Sequence, residues 1–464
     1  MNDCAIIILG ATGDLSRKKI FPALYRLFAQ KKLGNSIIIG AAIDSIEVSE
    51  LLNRCKEFVN PDDAQQWHDF CNRVFYTPID FLKENDFFAL EKYVVDQEKK
   101  AKLSGNRLVY CATAPFFYCM ITKGLAESGL VKSAHLKQAQ EWQRIVFEKP
   151  FGHDKQSAQE INTCIANHFD ERQIFRIDHY LSKALVNNIA LVRFTNIIFE
   201  PLWNNRYIDQ VQIIFDEKTG LEGRGVFYDK YGALADVMQN HMMQLLALIG
   251  MEAPEKLTGD YIRIARANVL KKVKVVDAIL GQYKGYQQEP GVAPHSKTET
   301  FAQVLLRIEN HRWAGVPFYL RTGKYLKKKE TVIYIKFKQV DCLLSKNCPS
   351  ESNYLTIKIS PESVFSLTLN VKTSAFSDNV KPVQMHFSHG VFPDAQEAYE
   401  ILLQEILKGE ASISVRFDEI EYAWNIIDAI RALNPTLYEY EKESNGPEEA
   451  RTIFDTKHGI RWKS

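Results

Sequence analysis

Near the start of the chain, Ala5-Ile6-Ile7-Ile8-Leu9 runs straight into Gly10-Ala11-Thr12-Gly13-Asp14-Leu15, and a helix-spaced pattern follows from Leu15 to Gln30. A short run made wholly of apolar, largely β-branched side chains suits a strand covered on both faces. A glycine turn between such a strand and a helix aims backbone N–H groups and the positive helix end at one point. α/β proteins hold a pyrophosphate in this way. Gly10, Ala11, Thr12, Gly13, Asp14 and Leu15 are therefore candidate cofactor-binding residues. The spacing is GxxG, shorter than GxGxxG, so a tight structural turn satisfies it equally well. Arg17, Lys18 and Lys19 at the helix start either add charge toward phosphates or form a solvated face.

The next segments repeat the alternation. Residues 36–43 (SIIIGAAI), 107–113 (RLVYCAT) and 144–150 (RIVFEKP) read as strands, and 155–169 as a helix with Ala158, Ile161, Ile165 and Phe169 on one face. Strands alternating with helices predict a parallel sheet with both faces covered. The second strand ends Gly40-Ala41-Ala42-Ile43-Asp44. An acidic residue there accepts hydrogen bonds from a free ribose 2′-hydroxyl and repels a 2′-phosphate, so Asp44 favours NAD if the register holds. After about residue 205 the pattern changes to successive strands with few helices between them, which predicts antiparallel pairing. Helical segments remain near 228–250, 395–408 and 418–433. The expected fold is an α/β, Rossmann-like dinucleotide-binding domain over 1–177, then an α+β domain over 178–464 with a large, mainly antiparallel sheet.

Charge narrows the function classes. Lys plus Arg number 58 and Asp plus Glu 57, a balance that argues against a general nucleic-acid or membrane-surface binder. No run of about 18 apolar residues occurs, so no membrane helix is expected. No basic segment precedes the first apolar run, so no secretory signal is expected. The eight cysteines show neither CxxC nor zinc spacing. They read as reduced, buried thiols of a cytoplasmic protein, with no metal site.

Two clusters carry chemistry. Asp178, His179, Tyr180 and Lys183 crowd six positions ahead of an apolar stripe of Leu181, Leu185, Ile189 and Val192. A helix beginning near Tyr180 puts His179 and Lys183 about one turn apart, where with Tyr180 they converge on a dianion. An N-capping aspartate with incidental surface neighbours fits the same residues. The second cluster lies in 232–250 (GALADVMQNHMMQLLALIG), where Asp236, Asn240 and His241 interrupt an apolar helix. His241 suits either a satisfied core histidine or a general base beside a carboxylate, with Asp178 as a candidate orienting partner.

Together these segments resemble the glucose-6-phosphate dehydrogenase family over nearly the whole chain. The resemblance rests on GATGDLSRKKIFPALYRL (10–27), EKPFG (148–152), RIDHYLSK (176–183), PLWN (201–204), LEGRGVFYDKYGALADVMQNHMMQ (221–244), RWAGVPFYLRTGK (312–324), FPDA (392–395) and DEIEYAWNIID (418–428). It implies an NAD(P)-dependent oxidoreductase of the pentose phosphate pathway that converts β-D-glucose 6-phosphate to 6-phosphoglucono-1,5-lactone. By resemblance His241 is the base and Asp178 holds its imidazole. His179, Tyr180 and Lys183 match the sugar-phosphate clamp, and Glu222 and Asp236 the sugar-hydroxyl ligands. Lys324 and Lys329 match basic substrate ligands. Lys149 touches both substrate and cofactor, beside a Pro150 that can be cis, and Tyr118 aligns with a cofactor-contacting tyrosine. The family default is NADP, and a homodimer or homotetramer built on the second domain is implied.

Departures from the pattern leave alternatives open. Ile43 stands where the family has an arginine for the 2′-phosphate. Ser182 and Ala184 replace a glycine and a glutamate, and Ser360 stands where a glutamine ligand is common. Glu330 and Tyr334 occupy positions where the basic residues of a second, structural NADP are expected, so that site is expected to be absent. A catalytically silent sugar-phosphate or nucleotide-binding relative, or a dehydrogenase with a shifted hexose-phosphate substrate, remains compatible.

Overall fold

The computed structural model describes residues 3–61, 63–133, 141–340, 351–372, 380–388 and 398–463. Cys342, Cys348 and the 392–395 segment lie outside the described residues. The chain divides into two compact units. One comprises Met1–Lys183, Thr258–Arg263 and Gln396–Phe417, the other Ala184–Leu257, Ile264–Ala395 and Asp418–Ser464.

In the first unit, β1 (Ala5–Leu9), β2 (Ile37–Ala42), β3 (Val74–Pro78), β4 (Arg107–Cys111), β5 (Gln143–Phe147) and β6 (Ile174–Ile177) pair in parallel in the order β3-β2-β1-β4-β5-β6. This is the doubly wound order of dinucleotide-binding sheets. Alternation along β1 explains its apolar run. Ile6 and Ile8 join a core with Leu24, Leu27 and Ile406, while Ala5, Ile7 and Leu9 join a second core with Val94, Ile121 and Leu125. A late piece of chain also belongs here. Ser414–Val415 (β15) pairs antiparallel with β6, and the helix Ala398–Lys408 sets Glu400 against Arg26. The sequence boundary at 177/178 did not foresee this return, because the partners are more than 200 residues apart.

The second unit holds a nine-stranded sheet. Its strands are β7 (Ile208–Asp216), β8 (Val273–Tyr283), β9 (Phe301–Ile308), β10 (Pro317–Gly323), β11 (Glu330–Phe337), β12 (Tyr354–Ser360), β13 (Val364–Lys372), β14 (Val380–Ser388) and β16 (Leu437–Tyr440). Their order is β14-β13-β12-β11-β7-β10-β9-β8-β16. Pairing is antiparallel except for β7–β10 and β8–β16. On β12 buried and half-buried residues alternate, as expected when one face of a strand is covered.

Two helix expectations need correction. Residues 179–183 are turns, and the helix starts at Ala184 and runs to Thr195. Asp178 Oδ1 accepts from the Tyr180 N–H at 2.9 Å, and Lys183 N–H donates to Tyr180 O at 3.1 Å. A side-chain-capped turn has taken the place of helical bonds. The buried stripe is Leu185, Val186, Ile189, Ala190 and Arg193, with Val192 half-buried. The segment 228–250 is likewise not one α-helix. A helix over Gly225–Ala233 breaks at Gly232 (φ 65°, ψ −179°), Leu234–Met242 is π-helical, and Met243–Gly250 is α-helical. At the break, Glu299 accepts from the Leu234 N–H through its carboxylate and from the Ala233 N–H through its carbonyl, both at 2.9 Å. That satisfies two donors a new helix start leaves open.

Among the described residues, Cys4, Cys55 and Cys111 are buried, and Cys71, Cys119 and Cys164 are half-buried, all as free thiols. No described helix is long and apolar enough to cross a membrane.

Candidate functional site

In the first unit the glycine turn forms where β1 ends. Gly10 has φ 84°, and a Cβ there would lie 2.6 Å from Ala112 O. Only glycine serves, for both conformation and space. The turn is tied to β2 by Gly10 N–H to Ala41 O at 2.7 Å, and Ser16 Oγ donates to Gly10 O at 2.9 Å. Ala11 is fully buried, and Gly13 N–H closes onto Gly10 O at 3.1 Å. Thr12 Oγ1 donates to Asp44 Oδ2 at 2.5 Å, so the exposed carboxylate at the end of β2 stands beside the turn. Ile43 beside it is 72% exposed. Lys18, at 2.9 Å, and Arg17 both pair with Asp14 and hold its carboxyl below its ordinary range. Leu15 precedes the helical turn Ser16–Ile20. A glycine cradle with a neighbouring acidic residue fits a dinucleotide.

Lys149 follows β5, and its bond to Pro150 is cis. The segment is anchored from behind. Glu148 accepts from Tyr110 Oη at 2.5 Å and Tyr399 Oη at 3.3 Å, while Tyr118 Oη donates to the Glu148 carbonyl at 2.5 Å. Burial pushes the Glu148 carboxyl up, opposed by the two tyrosine hydroxyls. Tyr118 is fully buried, and its hydroxyl bond to the Glu148 carbonyl supports the Lys149 turn from the core.

At the end of the unit, His179, Tyr180 and Lys183 lie close together on turns. The His179 and Tyr180 rings lie 5.2 Å apart, and Lys183 Nζ sits 3.6 Å from the Tyr180 ring centroid. The cation–π contact holds a flexible ammonium in place. Asp178 is 2% exposed. Ser182, where the resemblance expects glycine, is buried and donates to His179 O at 2.9 Å. Its extra hydroxyl therefore tightens the turn. Ala184 is exposed.

In the second unit, Asp236 and His241 both lie on the π-helical segment and both are buried. The His241 ring stacks on Phe215, with centroids 6.0 Å apart and planes 12° from parallel. Lys324 is 1% exposed at the end of β10. Its ammonium meets Glu217 Oε2 at 2.6 Å and lies 5.3 Å from the Tyr228 ring centroid. Its backbone is pinned by Lys324 N–H to Thr300 O and by Tyr440 Oη to Lys324 O. The Tyr228 hydroxyl is buried with no hydrogen-bond partner among the described residues. Burial, then the charges of Asp236 and Glu217, drive its pKa well upward. Glu222 is exposed on a left-handed backbone (φ 50°), a costly conformation for a non-glycine residue. Lys329 is exposed just before β11, and Ser360 ends β12 ahead of a cis Pro361. A separate cavity of about 780 Å³ in this unit is lined by Asp216, Arg321 and several residues between 445 and 463, including Trp462.

The sequence reading missed Glu217, Glu299, Glu148 and its two tyrosines, and the roles of Tyr228 and Phe215. Each acts through a neighbour brought close by the fold, and no local spacing signals that.

A doubly wound parallel sheet with a glycine cradle after its first strand and an acidic residue after its second defines a dinucleotide-binding protein. The chain matches the family models for the glucose-6-phosphate dehydrogenase NAD binding domain over residues 7–188 and the C-terminal domain over 190–463. It belongs to the glucose-6-phosphate dehydrogenase family. It is 36% identical over 483 residues to a glucose-6-phosphate 1-dehydrogenase of Bacillus subtilis, covering 98% of this chain and 97% of that one. It is also 36% identical over 482 residues to the cytoplasmic glucose-6-phosphate 1-dehydrogenase 6 of Arabidopsis thaliana, covering 99% and 93%. A solved glucose-6-phosphate dehydrogenase in complex with its substrate glucose 6-phosphate superposes with TM-score 0.91 at 32% identity, covering 100% of this chain and 99% of that one.

Proposed function

We propose that this chain oxidises the C1 hydroxyl of β-D-glucose 6-phosphate to 6-phospho-D-glucono-1,5-lactone, opening the oxidative pentose phosphate route. The observation that carries this reading is family membership over the full length together with a buried His241 and a preorganised His179–Tyr180–Lys183 cluster. A nicotinamide dinucleotide held by Gly10–Leu15 and Lys149 would supply the hydride acceptor for C1. His241 takes the C1 hydroxyl proton, so that the carbonyl forms without a high-energy alkoxide. Asp178 is assigned to hold the imidazole and stabilise its protonated form. His179, Tyr180 and Lys183 bind the 6-phosphate, and the Tyr180 ring restrains the lysine before substrate arrives. Lys324, Lys329, Glu222 and Asp236 bind the sugar. Glu217 and the Tyr228 ring hold Lys324 in one place, which lowers the ordering cost of binding.

The pyrophosphate is assigned to Gly10–Leu15 and Lys149. Asp44, oriented by Thr12, with the exposed apolar Ile43 beside it and with Arg17 and Lys18 engaged by Asp14, supports NAD over NADP. A cytoplasmic homodimer or homotetramer completes the proposal, checked by sedimentation. The activity is tested by following reduced nicotinamide from glucose 6-phosphate. Turnover that falls about 10²-fold or more in His241→Ala is expected. No turnover with either dinucleotide overturns the reading.

A further inference from the structure

His241 and Asp236 are five residues apart on one helical segment. In an α-helix each residue turns about 100°, so residues five apart point about 140° away from each other. In a π-helix the N–H of residue i+5 bonds the C=O of residue i, so residues five apart stand one above the other. The π register of Leu234–Met242 is therefore what puts Asp236 and His241 on a common face. The segment ends where Met243 N–H is shared between Asn240 O and Met238 O, the latter five residues back as π register requires. A π stretch is rare and costs stability relative to an α-helix, so something local has to support it.

The support is the Asn240 side chain. Its Nδ2 donates to Ala235 O at 3.1 Å and to Asp236 O at 3.0 Å, and its Oδ1 accepts from the His241 N–H at 2.7 Å. The carboxamide thus spans the N–H of one functional residue and the carbonyl of the other. Only an amide of this length meets the pattern. Aspartate offers two acceptors and no donor toward the carbonyls, alanine offers neither, and glutamine places both groups one methylene too far. The orientation of the amide follows from its partners, because a flipped amide would set its oxygen against two carbonyl oxygens and its nitrogen against an N–H.

We infer that Asn240 is a positioning residue for His241 and Asp236, holding the π register that aligns them. The inference rests on the proposed role of His241 as base. Removing the carboxamide lets the segment relax toward α register and swings His241 away from Asp236. A displaced base costs about 10²-fold in rate.

The test compares Asn240→Ala, Asn240→Asp and His241→Ala in the full chain. It measures kcat, KM for glucose 6-phosphate, the primary isotope effect with C1-deuterated glucose 6-phosphate, thermal midpoint and dinucleotide affinity. The expected result is a kcat about 10²-fold lower in both Asn240 variants, with a raised isotope effect and unchanged dinucleotide affinity. Asn240→Asp is nearly isosteric and keeps the acceptor for the His241 N–H, so it serves if Asn240→Ala fails to fold. Asn240 variants with wild-type kcat and isotope effect, alongside a crippled His241→Ala, overturn the positioning role alone, even if their midpoints fall. A His241→Ala variant with near wild-type kcat overturns the base assignment and the inference with it.

Discussion

Cofactor choice is set within a few residues, and its size can be worked from their environment. Asp44 is exposed and its carboxylate is oriented by Thr12 Oγ1, with a bare Ile43 preceding it. Two unit charges about 4 Å apart interact by about 1 kcal/mol in water and about 4 kcal/mol at a surface dielectric of about 20. An exposed carboxylate belongs near the lower figure. A 2′-phosphate carries about 1.5 to 2 negative charges. Asp44→Asn therefore removes about 1.5–2 kcal/mol of repulsion and raises the NADP/NAD ratio of kcat/KM by ~10- to 30-fold. Adding Ile43→Arg supplies a charge-assisted contact of about 1.5–3 kcal/mol, so the double variant shifts the ratio by ~10²- to 5 × 10³-fold. The assay is initial-rate formation of reduced nicotinamide at saturating glucose 6-phosphate, with each dinucleotide varied. The shift should shrink in high salt, because the charges are exposed. An unchanged ratio in Asp44→Asn, or a wild-type enzyme that strongly prefers NADP, would refute the placement of Asp44 at the ribose.

Three further outcomes follow from the same geometry. Gly10→Ala puts a Cβ 2.6 Å from Ala112 O at φ 84°, so it should cost at least about 2 kcal/mol in denaturant unfolding and weaken dinucleotide binding by titration. Tyr228→Phe keeps the ring beside Lys324 and removes a buried hydroxyl that has no partner among the described residues. Stability should rise by about 1 kcal/mol, and a fall would mean that the hydroxyl is bonded. Glu148 is a raised carboxyl: the folded state holds its proton more tightly than the unfolded chain does. Its contribution is thus fully present below the unfolded pKa and is lost as pH rises through the folded value. Glu148→Gln keeps an acceptor for Tyr110 without an ionisable group. Its thermal midpoint should therefore gain on wild type between pH 4 and pH 8, and a gap independent of pH would contradict the assignment.

Periodicity alone carried the architecture. The apolar run of β1 announces a strand buried on both faces, because Ile6 and Ile8 face one core and Ile7 and Leu9 the other. Gly10 announces its turn because no other residue tolerates that backbone and that proximity to Ala112. The strands after residue 205 announce antiparallel pairing by following one another with few helices between them, although burial alternates on β12 and not on the central β7 or β9. Candidate chemistry was legible for the same local reason: His179, Tyr180 and Lys183 are close in sequence and so cannot avoid being close in space. What the sequence left open is whatever depends on partners far along the chain or on competition between nearly equal local states. Lys324 finds Glu217 across more than 100 residues, and Ser414 finds β6 across more than 230. Residues 179–183 have a helical pattern, but the Asp178 carboxylate captures the Tyr180 N–H first and makes a turn. Residues 234–242 have an α-helical pattern as well. There the Asn240 carboxamide and the Glu299 cap shift a balance of a few hydrogen bonds toward π register. Apolar periodicity decides which residues are buried. The register of the segment carrying His241 depends on which polar group reaches each carbonyl, and that is a property of the folded structure.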